Sequence, residues 1–148
     1  MWKKFKTGLL ALPAAALLSA FAAAPQESLT IRISNLRTNK GHVLISLFKD
    51  GEGYPDKPEK AFRKERLPIN ANQSIARFSS LPAGDYAIAI LHDENDDLKM
   101  NTNFIGLPKE GYGFSNNVMG SFGPPSFHKA KFSIAPAVAR NLEIRVNY

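Results

Sequence analysis

The chain contains no cysteine in its 148 residues. That absence excludes a disulfide, a thiolate metal site and a cysteine nucleophile. It also excludes a lipoprotein anchor, which needs an N-terminal cysteine. A membrane-spanning run is missing as well. The apolar stretch Leu9 to Leu18 falls short of the roughly 20 residues a spanning helix needs, and Pro13 interrupts it. The chain lacks G-x-S-x-G, H-E-x-x-H and S-x-x-K, so no familiar hydrolase machinery is written into it. No basic run interleaves with aromatics as on nucleic-acid surfaces. The nearest approach is KPEKAFRKER, residues 57–66, where Glu59 and Glu65 offset the cations. That segment reads as a solvated helical face.

What is present begins with a leader. Lys3, Lys4 and Lys6 precede the apolar run, and Ser19, Ala20, Ala22, Ala23 and Ala24 follow it. This is the pattern of a secretory signal, with cleavage expected after Ala22. Removing those residues leaves 23–148, one domain of ordinary size that can bury a core without staples. The net charge of +6 drops to +3 when the three leader lysines go. The expected destination is the periplasm or the cell exterior.

The rest of the chain reads as β. Leu29, Ile31 and Ile33 alternate with polar neighbours, and His42 to Phe48 is a second apolar run after the turn at Asn39, Lys40 and Gly41. The two are expected to pair as a hairpin. Pro58 to Glu65 suits a short helix, with Pro58 at an early helical position. Ser74 to Phe78 is a third strand. Asp85 to Leu91 follows the turn Leu81-Pro82-Ala83-Gly84 and is apolar on both faces, as a central strand is. Ala130, Phe132 and Ile134 alternate again, and so do Leu142, Ile144, Val146 and Tyr148. The expected fold is all-β: an antiparallel β-sandwich of about seven strands with one long loop and a short helix.

That loop, residues 92–127, carries the candidate chemistry. It is too long for a plain connection and too aromatic for a disordered one. Asp93, Asn95 and Asp97 place oxygens at alternate positions and Asn101 follows at the ninth position of the count, as in loops that wrap Ca²⁺. Leu98 stands where glycine would permit the sharp turn, and Phe104 where a bidentate acid would close the shell; Glu110 is a remote substitute. The competing reading is a loop whose Asp and Asn side chains bond their own backbone. A second candidate is a ligand pocket built from His92, Glu110, Tyr112, Phe114, Asn116 and Asn117, which mixes flat apolar faces with amide donors and acceptors. The competing reading there is that the aromatics plug the end of the sandwich. A third is a hydrolase using His92 as general base beside Asp93 and Glu94.

Several ordered stretches carry a family resemblance: KGHVLISLF, GYP, LPAGDYAIAILHDENDD, NTNFIGLPKEGYGFSNN and GPPSFHKAKF. Together they resemble the DUF2141 family of exported bacterial proteins over roughly residues 28–148. The resemblance implies an exported β-domain and assigns no activity. FSSLPAGDYAIAI is similar to strand-turn-strand segments of transthyretin-like and carboxypeptidase regulatory-like sandwiches, an analogy of fold alone. The family loop reads HDENGNGKLDTNF where this chain has HDENDDLKMNTNF, so two glycines are replaced by Asp96 and Leu98 and an acid by Asn101. The expected function is a non-catalytic binding or accessory module of the envelope, taking a small ligand or an envelope protein. The alternatives are a calcium-stiffened interaction module and the hydrolase.

Overall fold

A computed structural model describes residues 27–148. The expected signal, residues 1–22, lies outside them. Eight strands form two sheets that face each other. The smaller sheet has the order β4-β1-β8: β1 is Glu27–Ser34, β4 Ser74–Ser79 and β8 Arg140–Arg145. The larger has β3 (Arg63–Leu67), β2 (His42–Lys49), β5 (Gly84–Asp93) and β6 (Gly111–Phe114) in that order. The short β7 (Phe132–Ile134) shares the free edge of β5 with β6. All pairings are antiparallel except β1 with β8, which run parallel.

Alternation explains the sandwich. Leu29, Ile31 and Ile33 of β1 and Val43, Ile45 and Leu47 of β2 are all essentially without exposure. Each buried aliphatic side chain contributes roughly 1.5–3 kcal/mol relative to exposure. β5 is the central strand, as its two apolar faces require. Tyr86, Ile88 and Ile90 join the inter-sheet core, while Ala87 and His92 are buried as well.

Three expectations are corrected. β1 and β2 are not a hairpin: they lie in opposite sheets. Alternation says that each strand has an apolar face, and two such faces are satisfied equally by packing face to face. Asn35, with φ 65°, and the buried Leu36 turn the chain from one sheet to the other. Residues 58–65 are not one helix. Only Pro58–Lys60 form a 3₁₀ turn, and Arg63–Leu67 is edge strand β3, paired to β2. The exposed Arg63, Lys64 and Arg66 therefore guard a sheet edge, where charge discourages pairing with another chain. Finally, the segment 92–127 is not one irregular loop, because β6 lies within it. Its GYGF sequence hides a strand behind two glycines that tight packing demands. A Cβ on Gly111 would collide with Val146 Cγ1 and sit 2.5 Å from Tyr148 Cε1. One on Gly113 would sit 2.9 Å from the Arg145 carbonyl oxygen.

Candidate functional site

The β5–β6 connection, residues 94–110, rises from the end of β5 and is closed at its base by buried carboxylates. Asp93 is fully buried. Its Oδ1 accepts from the Asp97 amide (3.2 Å) and its Oδ2 from the Leu98 amide (2.9 Å). Glu110, 5% exposed, accepts from the Glu94 amide through Oε1 and from the Asn101 amide through Oε2, both at 3.0 Å. One carboxylate thus ties the loop's start to its middle. Asp96 and Leu98 adopt left-handed backbone, φ 60° and 63°. Leu98 holds without glycine the turn that glycine would make at lower cost.

Asp97 completes the cluster. Its Oδ1 accepts from the Lys99 amide (3.0 Å), and its Oδ2 accepts from the side-chain amides of Asn101 (2.9 Å) and Asn95 (3.1 Å). The Asn101 hydrogen bond, with help from Lys99 and Asn95, holds the Asp97 carboxyl below its usual range. Oxygens of Asp93, Asp97 and Glu110 all lie within 4.8 Å of one another. Of the four expected metal ligands, Asp93 and Asp97 therefore converge, and Glu110 joins them. Asn95 and Asn101 turn their amide nitrogens toward Asp97.

Cations clamp the outside. Arg37 pairs with both carboxylate oxygens of Glu94, donates from Nη2 to the Lys109 carbonyl (3.0 Å), and lies 4.4 Å from the centre of the Tyr148 ring. Chiefly that pairing depresses the Glu94 carboxyl. Asp96 accepts from His42 Nδ1 (2.7 Å) and Arg66 Nη2 (2.8 Å), which lowers its pKa and ties the loop to β2 and β3.

His92 is sealed beneath the loop, with no exposed surface. Its Nε2 donates to the Lys40 carbonyl (2.9 Å), so its Nδ1 accepts from the Tyr148 hydroxyl (2.6 Å). Both nitrogens are engaged, and neither bonds a carboxylate. Tyr112 is half-buried and Phe114 buried, their rings edge-to-face at 6.1 Å. Asn116 donates to the carbonyls of Lys129 and Lys131. Asn117 donates to the Glu143 carbonyl and accepts from the Arg145 amide. These two side chains stitch the turn that follows β6, Ser115–Asn117, to residues 129–131 and to β8.

A surface that sequence reasoning missed stands above the cluster. Residues 101–109 form a miniature hairpin, with Thr102 bridged to Pro108 and the Lys109 amide donating to the Asn101 carbonyl (2.8 Å). Its tip is apolar and open to solvent: Phe104 is 98% exposed, Ile105 63% and Leu107 56%. The signal available was the apolar FIGL run inside an otherwise polar loop.

The profile of the family described as "Uncharacterized protein conserved in bacteria (DUF2141)" matches residues 31–141, well over half of the chain. The chain belongs to the DUF2141 family. The match includes the whole carboxylate cluster and the 101–109 hairpin of this DUF2141 protein. No curated protein and no solved structure matches it. Among the described residues, no helix is long and apolar enough to cross a membrane.

Proposed function

We propose that this DUF2141 protein is a non-catalytic interaction module of the cell envelope, with the β5–β6 connection as its working end. The observation that carries the reading is the exposed apolar tip of the 101–109 hairpin, mounted on a base that buried carboxylates and Arg37 hold rigid. Large apolar side chains offered to water on a firm support mark contact sites. The N-terminal lysines and apolar run favour export. A non-catalytic role also suits His92, whose ring nitrogens are both occupied. The test is a photo-crosslinking side chain placed at position 104 or at Ile75, which is 46% exposed on the other sheet. In the host envelope, adducts to lipid or protein are expected from 104 and not from 75. Equal yields from both positions would sink the reading.

A second reading is favoured by the convergence of three carboxylates: the same loop is stiffened by a divalent cation, Ca²⁺ by its preference for oxygen. Like charges this close repel, and a cation relieves that repulsion. With an affinity typical of extracellular modules, on the order of 10⁻⁴–10⁻³ M, ten millimolar calcium should add about 1.4–2.7 kcal/mol. Melting temperature in EDTA and then in calcium should therefore rise by roughly 5–10 °C. Asp93→Asn should abolish the rise. A flat response in the unsubstituted protein would leave the carboxylates as backbone clamps only.

A further inference from the structure

The geometry points to a separate binding site, at the far end of the larger sheet, for a small zwitterion of the free α-amino acid class. The carboxylate cluster sits where β2 begins and β5 ends. This site sits where β2 ends and β5 begins. There a cavity of about 240 Å³ is lined by Lys49, Asp50, Glu52, Lys60 and Phe62.

Four of these residues are charged, two of each sign, and they are not used up on one another. Lys60 donates to Glu52 at 3.2 Å and closes one wall. Lys49 and Asp50 stay apart. Among the described residues, no carboxylate lies within 4.0 Å of the Lys49 ammonium and no cation within 4.0 Å of the Asp50 carboxylate. The two are neighbours all the same. Lys49 Nζ and Asp50 Oδ1 stand 3.8 and 3.9 Å from the point where a Cβ on Gly84 would lie. That Cβ would already meet Lys49 Cε at 3.0 Å, so the bare Gly84 leaves room for the lysine to lie across the cavity.

Both charges are held in place by the fold. Asp50 takes left-handed backbone, φ 54°, next to Gly51 at φ 82°. Its amide donates to the Asp85 carbonyl (3.0 Å), and the Glu52 amide donates to the Lys49 carbonyl (3.4 Å). Aspartate tolerates that conformation because its short side chain can bond locally. Lys49 lies in β2 opposite Tyr86, with its ammonium 6.0 Å from the centre of the Phe62 ring. Groups already fixed in position lose little order when a ligand arrives.

The pattern selects its ligand by exclusion. A lone anion meets Asp50 and Glu52, and a lone cation meets Lys49 and Lys60. An apolar molecule would strip water from two unpaired charges and give nothing back. A molecule with both charges close together satisfies both. An α-amino acid carries its ammonium and carboxylate on one carbon. It sets the ammonium on Asp50, the carboxylate on Lys49 and its side chain on the half-buried Phe62. The cavity has room for roughly eight waters at liquid density, which suits a side chain the size of leucine's.

The test removes each charge from the ligand and from the protein in turn. Isotope-labelled protein recovered from the envelope is titrated with L-leucine, N-acetyl-L-leucine and L-leucinamide, and the amide signals of Asp50, Glu52 and Phe62 are followed by NMR. L-leucine should shift them saturably at millimolar concentrations. Each analogue, which lacks one charge, should bind at least about tenfold more weakly, the loss expected when one charged hydrogen bond is removed. Lys49→Met should erase the preference for L-leucine over L-leucinamide. Asp50→Asn should erase the preference over N-acetyl-L-leucine, and asparagine keeps the left-handed turn. An unchanged melting temperature certifies each variant. No saturable shift with L-leucine at tens of millimolar overturns the inference. So does equal affinity for either analogue, or a preference that survives both substitutions. The analogue comparison uses the unsubstituted protein, so a variant that fails to fold does not shelter the inference. Crosslinking from position 104 reads the hairpin tip at the other end of the sheet, and its outcome is independent of this one.

Discussion

Replacing Glu110 with alanine is expected to cost about 2–3 kcal/mol, which for a domain of this size lowers the melting temperature by roughly 10 °C. The carboxylate is buried and accepts one amide on each oxygen, from Glu94 and from Asn101. Alanine leaves both donors without a partner. Glutamine, nearly the same shape, should do little better. Its single carbonyl oxygen can serve one amide, but its NH₂ then faces the other donor across about 3 Å, where two donors repel. The melts are done in EDTA, so that no cation contributes. A glutamine variant as stable as the unsubstituted protein, within the scatter of ordinary surface changes, would mean that Glu110 does not bridge the two amides. The Asn101 amide belongs to the base of the 101–109 hairpin. Losing Glu110 should therefore loosen the tip as well, and crosslinking from position 104 should become less selective.

The all-β class and the central position of β5 were legible because period-2 burial is a local signal. Strand pairing was not, because the same alternation in β1 and β2 fits one sheet or two facing ones. Corner residues decide that choice, and Asn35 takes its left-handed φ without any glycine to advertise it. The charged segment 57–66 misled for a related reason. Edge strands tolerate charge on both faces, and a polar run with Pro58 at its start looks helical until its partner β2 is known. Strand β6 was hidden by Gly111 and Gly113, residues that ordinarily argue against a strand. What calls for them is β8 and the residues just after it, Ile144 to Tyr148, more than 25 residues further along the chain.

The site shows the same division. Asp93 and Asp97 are legible by spacing, since ligands four residues apart on one loop are local. Glu110 was visible only as a remote acid; the fold brings it to Asp93 by pairing β6 with β5, where His92 lies opposite Gly111. Asn116 and Asn117 read as ligand donors or as backbone stitches, and only the carbonyls beside them decide between the two. By its spacing from Asp93, Phe104 reads only as a failed ligand position. Its 98% exposure, which gives it meaning, depends on a turn that Asn103 organises through its side chain.

Gly41→Ala should be the most damaging small substitution near the site, costing about 4 kcal/mol or more. Gly41 sits at φ +67° immediately before β2. A Cβ there would land on the Asp93 carbonyl oxygen, with Asp93 C and Glu94 Cα each 2.8 Å away. These are backbone atoms at the end of the β2–β5 pairing, where His42 lies opposite Asp93, and they cannot swing aside as a side chain could. Relief requires the two strands to part. That would draw the Lys40 carbonyl from His92 and Glu94 from Arg37 and Thr38. Gly106→Ala is the matched control. Gly106 has φ +85° at the hairpin tip, and a Cβ there meets nothing within 4 Å. It should cost only the left-handed backbone penalty, about 1 kcal/mol. Chemical denaturation of both variants separates the contributions, because the conformational penalty is common to them and the collision is not. Equal losses would show that the β2–β5 end yields freely, and that the carboxylate cluster is not mounted on a rigid frame.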